Sequence, residues 1–192
     1  MPIDDEVRSA MLRWPTVPAM HGWLRLTRRG RWMLIDRGRP GFDETLHGAG
    51  SEITSPPILD FIGRNYLQDE TGAWHWQNGP QRVFVDLDLA PLYFRVLEPA
   101  GAATGAQSLI THTGYPVGEI HSAAIDAQGN LWLETDLGPG CLDDRDLAQI
   151  EIDLETQPMR LSLMGDHEVI LLDAAPAQTF GFVAHPRPAG AA

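Results

Sequence analysis

The chain has 192 residues, 43% of them hydrophobic and 21% charged, with six tryptophans and six phenylalanines. That is enough apolar material for one large or two small packed cores, and it excludes a disordered or collagen-like chain. A formal net charge of −12 repels nucleic acid and anionic membrane surfaces in general.

Asp4–Trp14 reads as a leading helix. Gly22–Thr27 and Arg31–Asp36 flank Arg28-Arg29-Gly30 as a β-hairpin. Ser55 or Thr54 can cap a helix with Pro56 at its first position, running to about Leu67. Ile58, Leu59, Ile62 and Tyr66 would form its buried stripe, and Asp60 and Arg64 an i,i+4 pair. A second hairpin joins Ala73–Gln77 to Gln81–Asp88 across Asn78-Gly79-Pro80. In it Val83, Val85, Leu87 and Leu89 alternate with Arg82, Phe84, Asp86 and Asp88. Leu92–Leu97 is a strand that closes this group. The same order then returns. A hairpin joins Ile120–Asp126 to Leu131–Thr135, and a short helix follows over about Leu142–Ile150. A hairpin joins Met159–Met164 to Glu168–Leu172, and Thr179–Ala184 is a closing strand.

The recurrence is also visible residue by residue. At an offset of one hundred, His21, Trp32, Asp36, Gly38 and Asp43 meet His121, Trp132, Asp136, Gly138 and Asp143. The turn glycines Gly30 and Gly129 fall one step out of that register. Leu87-Asp88-Leu89-Ala90-Pro91 recurs as Leu172-Asp173-Ala174-Ala175-Pro176, which gives the first copy about 15 extra residues, assigned to the stretch around 44–55. The expected fold is α+β, two tandem repeats of hairpin, helix, hairpin and strand with antiparallel sheets, packed together. Residues 1–97 hold the leading helix and first repeat, 98–107 a linker, 108–184 the second repeat, and 185–192 a loose tail.

Chemistry is harder to read. The basic residues are all arginine, which removes Schiff-base chemistry and a Walker lysine. Cys141 stands alone, so neither an intrachain disulfide nor a multi-cysteine zinc site is available. No nucleophile elbow, zincin, dinucleotide or EF-hand motif occurs, and no histidine has a ligand-spaced partner, so neither cofactor nor metal is expected. No apolar run approaches a membrane span and no leader is evident, which points to the cytoplasm. Arg25, Arg28, Arg29 and Arg31 open an arginine-rich stretch, 25–39, that either pairs with acids of this chain or a second copy, or binds an anion or acidic partner. The densest polar group runs from Asn65 to Arg82: Asn65, Tyr66 and Asp69 at the helix end, then His75, Gln77, Asn78, Gln81 and Arg82 on the hairpin. These residues either converge on a small polar or anionic ligand, or serve as caps, turns and pairs. His112 sits in a second polar knot, Thr111–Gly114, with the same two readings.

Two sets of residues carry a resemblance. Trp14-Pro15, Val17-Pro18 and Gly22-Trp23-Leu24, with Arg28-Arg29-Gly30 and Trp32, form the first. Phe61-Ile62-Gly63-Arg64-Asn65-Tyr66 and Gln77-Asn78-Gly79-Pro80-Gln81-Arg82-Val83 form the second. Together they resemble an uncharacterised proteobacterial family of unknown function. Element order, the Gly-x-Trp hairpins and the Asp-x-Ala-Pro pattern are similar to another such family, built of two repeated α+β motifs, for which a role in signal transduction has been suggested. Neither supplies catalytic residues to carry over. The expected function is a non-enzymatic ligand-binding or regulatory protein. Two alternatives stay open: an enzyme using His75 or His112 with Asp69, Asp86 or Asp88, and a homodimeric scaffold joined through the 25–39 hairpin.

Overall fold

The computed structural model describes residues 3–97 and 107–188. All but Gln107 of the expected linker, and the tail beyond Pro188, lie outside these residues. The chain forms two units, one running to Pro91 and taking back the residues from Gly181, the other spanning Leu92–Phe180.

The first unit opens with α1 (Asp5–Arg13), acidic in its first turn and basic in its last, as a helix dipole favours. The strands β1 (Met20–Leu26), β2 (Trp32–Leu34) and β3 (Ser51–Glu52) follow, with the short α2 (Glu44–His47) between the last two. Then come α3 (Pro56–Arg64), β4 (Tyr66–Gln68), β5 (Trp74–Asn78) and β6 (Gln81–Leu87). The sheet order is β3-β2-β1-β6-β5-β4. All neighbours are antiparallel except β1 and β6, which run parallel with Leu24 opposite Val85 and Leu26 opposite Leu87. One face carries Leu24, Leu26, Trp32, Tyr66, Trp74, Val83, Val85 and Leu87, all buried. Tyr66 stands edge-on to Trp32 and tilts against Trp74 at ring separations of 5.0 and 4.8 Å. α3 covers this face, with Phe61 edge-on to Trp76.

The second unit comprises β7 (Leu92–Leu97), β8 (Ser108–Thr111), β9 (Ile120–Ile125), β10 (Leu131–Thr135) and β11 (Gly138–Leu142). A 3-10 helix (Asp144–Gln149), β12 (Glu151–Asp153), β13 (Met159–Ser162), β14 (Asp166–Leu171) and α4 (Pro176–Thr179) complete it. Its order is β12-β13-β14-β9-β10-β11-β7-β8. The six strands β9–β14 reproduce β1–β6 in order and direction, down to the central parallel pair, here β9 with β14. The two α+β repeats are therefore real, with mixed rather than purely antiparallel sheets.

The hydrogen bonds set the register between the repeats. Gly30 N–H donates to the Thr27 carbonyl as Gly129 does to Asp126, and Asp88 N–H meets the Leu26 carbonyl as Leu172 meets Ile125. The offset is thus 99 at the first hairpin and 84 at β6, one less than the sequence matches suggest in each case. A one-residue slip exchanges the faces of a strand. Trp32 pairs with Leu26 and Trp132 with Ala124, so the two tryptophans occupy opposite faces of their sheets.

Other expectations change with the fold. Leu92–Leu97 does not close the first sheet but joins the second, parallel to β11. The segment after α4 is not a strand of the second sheet. It returns to the first unit, where Val183 bridges Ala73 and the Ala184 carbonyl accepts from Leu87. His185–Pro188 are likewise part of that unit, with Arg187 bonded to Asp86 at 2.8 Å. α3 ends at Arg64 because Asn65 caps it, so Tyr66 starts β4 rather than extending a stripe, and Ile58 is 45% exposed. Arg64 pairs with Asp4 instead of Asp60. The helix expected near 142–150 is a single 3-10 segment begun by Asp143, whose carboxylate accepts from Arg145 N–H.

Candidate functional site

The face of the first sheet opposite α3 is polar. Strand alternation places Leu67, His75, Gln77, Arg82 and Phe84 on it, because His75 pairs with Leu67 and Phe84 and Gln77 with Arg82. With Asp69, Glu70 and the α1 residue Met11, the side chains of Leu67, His75, Gln77 and Arg82 line a cleft of about 450 Å³. Of the residues singled out in the sequence, Asp69, His75, Gln77 and Arg82 meet here.

His75 is 4% and Gln77 1% exposed. Burial pushes the His75 pKa down, the Arg82 cation lowers it further, and Asp69 opposes the shift, so the imidazole is neutral at pH 7. The Ala73 carbonyl and the Gln77 side-chain oxygen lie near enough to favour the protonated imidazole, but His75 Nδ1 and Gln77 Oε1 are buried without reaching hydrogen-bond geometry with any partner. Leaving such an atom unsatisfied costs about 1–3 kcal/mol, which a bound partner group would restore. Arg82 is exposed and, among the described residues, has no carboxylate within ion-pair distance. Asp69 is held in a turn, its Oδ1 accepting from Thr71 N–H at 2.9 Å, Thr71 O–H at 2.6 Å and Ala73 N–H at 3.1 Å. Burial would raise its pKa, but those hydrogen bonds outweigh burial and hold it low.

The remaining residues lie elsewhere. Asn65 clasps the start of α1, its Oδ1 accepting from Asp4 N–H at 3.0 Å and its Nδ2 donating to the Asp4 carboxylate and the Phe61 carbonyl. Tyr66 is buried in the core and donates to the Pro91 carbonyl at 3.1 Å. Gln81 donates to the Pro18 carbonyl. His112 belongs to the second unit, where it accepts from Tyr93 N–H at 3.3 Å and burial pushes its pKa down to about 3. The arginines divide. Arg25 binds Asp88 at 2.8 Å and Glu44 at 2.7 Å, and Arg31 binds Glu52 at 3.1 Å. Arg28 and Arg29 are exposed at the hairpin turn. Arg37 continues the Arg25 network through Glu44 to the buried Asp86, which Arg187 also reaches. The acids that neutralise Arg25, Arg31 and Arg37 thus come from the same unit. Asp86 and Asp88 are held by these cations, so of the acids considered as partners for a histidine base only Asp69 shares a cleft with one.

Gln77, part of the same polar hairpin, completes the cleft with a buried, unpartnered oxygen. The α1 residue Met11 lines the cleft as well, a wall that strand alternation cannot foresee. A second, more apolar cleft of about 530 Å³ lies between β1–β2 and the 36–51 connection. The length of that connection was its one visible signal. Among the described residues no group of three His, Cys, Asp or Glu side chains could hold a metal ion, and no helix is long and apolar enough to cross a membrane.

The family model described as "Protein of unknown function (DUF2946)" matches residues 3–187. The chain belongs to this family. No curated protein matches the DUF2946 chain. Among solved structures it is similar to a DUF1285 family protein from Silicibacter pomeroyi DSS-3, with 17% identity over 83% of this chain and 84% of that one and a TM-score of 0.51. A DUF1285 family protein from Shewanella baltica OS155 is 11% identical over 67% of this chain and 89% of that one, with a TM-score of 0.46. The first likeness supports the fold, an α+β architecture on two mixed sheets of six and eight strands.

Proposed function

We propose that this protein is a small-ligand-binding regulatory protein whose ligand, a small polar anion, occupies the cleft of His75, Gln77 and Arg82 in the first repeat. One observation carries the reading: two buried polar atoms without partners, on His75 and Gln77, stand beside an arginine that no carboxylate among the described residues neutralises. A carboxylate or phosphate would take the Arg82 guanidinium as a charge-assisted partner, with His75 and Gln77 fixing its orientation. Binding rather than turnover is favoured because Asp69 is committed to its turn and Asp86 and Asp88 to arginines. That leaves His75 without a free carboxylate to orient it.

Thermal unfolding with succinate, citrate or inorganic phosphate tests this. A ligand held at a hundred times its Kd stabilises the native state by about 2.7 kcal/mol. At least one probe should raise the melting temperature, and Arg82→Gln should abolish the response without changing the unliganded melting temperature. An undiminished response in Arg82→Gln would remove this cleft from consideration.

A further inference from the structure

We infer that the second cleft of the first unit binds an α-amino acid with an aromatic side chain. Trp23, Leu34, Ile35 and Phe42 give the cleft its apolar lining, and Asp36 and Arg39 stand in its wall. Trp23 is 46% and Leu34 53% exposed, a concentration of uncovered apolar surface that a flat hydrophobic group would shield. The volume, about 530 Å³, falls in the range of small-molecule sites.

Charge makes the ligand class specific. Along the arginine-rich stretch, Arg25, Arg31 and Arg37 are all neutralised by carboxylates. Among the described residues Arg39 has no such partner and Asp36 no cation, although both are exposed and three residues apart. The Arg39 N–H donates to the Asp36 carbonyl at 3.3 Å, so one turn of backbone carries both charges. One unpaired cation and one unpaired anion on a single turn match a ligand whose carboxylate and ammonium sit on the same carbon. A simple anion would meet Asp36 as a like charge, and a simple amine would meet Arg39. The 47–51 segment also lines the cleft, with His47 stacked on Phe42: Gly48 has open space where a Cβ would project, and Gly50, at φ +94°, approaches so closely that a Cβ would lie 2.3 Å from the Leu34 carbonyl oxygen. That approach holds the 36–51 connection against β2 and leaves the cleft between them.

The test is titration calorimetry of the full chain with L-phenylalanine, and in parallel with 3-phenylpropionate, phenethylamine and L-alanine. L-Phenylalanine should bind one per chain. Deleting either charge or the ring removes a charge-assisted bond or the apolar contact, so each analogue should bind at least about tenfold more weakly. Arg39→Gln and Asp36→Asn should weaken L-phenylalanine by a similar factor. Neither side chain has a partner among the described residues to lose, so both variants should keep the wild-type melting temperature. Equal binding of 3-phenylpropionate, full affinity in Arg39→Gln, or no binding of L-phenylalanine would each overturn the inference. Arg82→Gln should leave L-phenylalanine binding unchanged, which separates this site from the His75 cleft and lets either stand without the other.

Discussion

The two repeats have the same strand order and the same register about their central parallel pair, yet they differ wherever chemistry is available. The register makes His75 equivalent to Arg160, Gln77 to Ser162 and Arg82 to Asp166. In the first repeat these positions leave buried polar atoms and an arginine unmatched. In the second, the Ser162 hydroxyl donates to Asp166 at 2.8 Å on an exposed surface. Likewise the Arg25–Asp86 pair of cross-strand neighbours becomes Ala124 and Ile170. The connection after β2 is ten residues longer than its counterpart after β10, counted from Leu34 to Ser51 against Leu133 to Gly140. A shared scaffold thus carries the His75 and Trp23 clefts in the first copy, while in the second β11 takes two further strands. The sheet is the common requirement, and the polar face and the long connection are what set the first repeat apart.

That difference can be tested most severely at β3 and β11. β3 is an edge strand, whereas β11 receives β7 so closely that a Cβ on Gly140 would lie 2.4 Å from the Leu92 carbonyl oxygen and 2.7 Å from Leu92 Cβ. Gly140→Ala should therefore destabilise the second unit by about 3 kcal/mol, because backbone cannot move aside as a side-chain end can. The equivalent Ser51→Ala should stay within about 0.5 kcal/mol. Urea unfolding of both variants decides the matter, and equal effects would mean that the two edges are packed alike.

The hairpin turns give the next contrast. Thr27 Oγ1 accepts one bond, from Arg31 N–H at 3.1 Å. Its counterpart Asp126 accepts four, from Gln128 N–H, Asn130 N–H, Asn130 Nδ2 and the buried Trp132 indole N–H at 2.9 Å. Asp126→Ala strands that indole and should cost about 2–3 kcal/mol, against about 0.5–1 for Thr27→Ala. Chemical denaturation monitored by tryptophan fluorescence should show the larger loss for Asp126.

Histidines give the contrast a pH axis. His112 titrates at about 3 in the folded protein against an ordinary value of 6.5. Below pH 6.5 the unfolded chain takes up a proton that the native chain refuses, so stability falls as the pH falls, by about 1.4 kcal/mol per unit. Between pH 6.5 and 5 the loss should reach about 2 kcal/mol, and His112→Gln should remove most of it. His75 and His21 are also lowered and add in the same direction from the first unit. Asp126, Asp143 and Asp146 are held low and contribute only further into acid, where their stabilisation is lost as they protonate. Unchanged acid sensitivity in His112→Gln would assign the slope to the first unit.

What could be read in advance follows from where each signal is stored. Turn glycines and alternating strands are local, so the hairpins and the duplication were legible in Gly30, Gly129 and the recurring Leu-Asp-x-Ala-Pro. Register was not, because Trp32 and Trp132 are both buried and a match of identities cannot tell one face of a sheet from the other. β11 was missed because Gly138-Pro139-Gly140 reads as a breaker, and only the nearness of Leu92 shows why small residues stand there. The exchange of closing segments, β7 to the second sheet and Gly181–Pro188 to the first unit, depends on contacts distant in sequence. Of the candidate site, Asp69, His75, Gln77 and Arg82 were legible from a helix end followed by a hairpin. Asn65 and Tyr66 had the same polar signature but turned inward to a cap and a core.

The smallest effect on stability is expected where the proposed function is most sensitive. Arg82→Asp places in the first repeat the residue type that the second repeat has at Asp166. Arg82 is exposed and bonded to no carboxylate among the described residues, so its removal forfeits no pair there, and unliganded stability should stay within about 0.5 kcal/mol. Asp166→Ala forfeits one exposed hydroxyl bond and should be as mild. The two variants part only when ligand is present: Arg82→Asp should lose the thermal response to small anions, and Asp166→Ala should keep it. A response lost equally in both would mean that the anion is read by the charge of the whole chain rather than by the cleft, and the asymmetry between the repeats would then carry no functional weight.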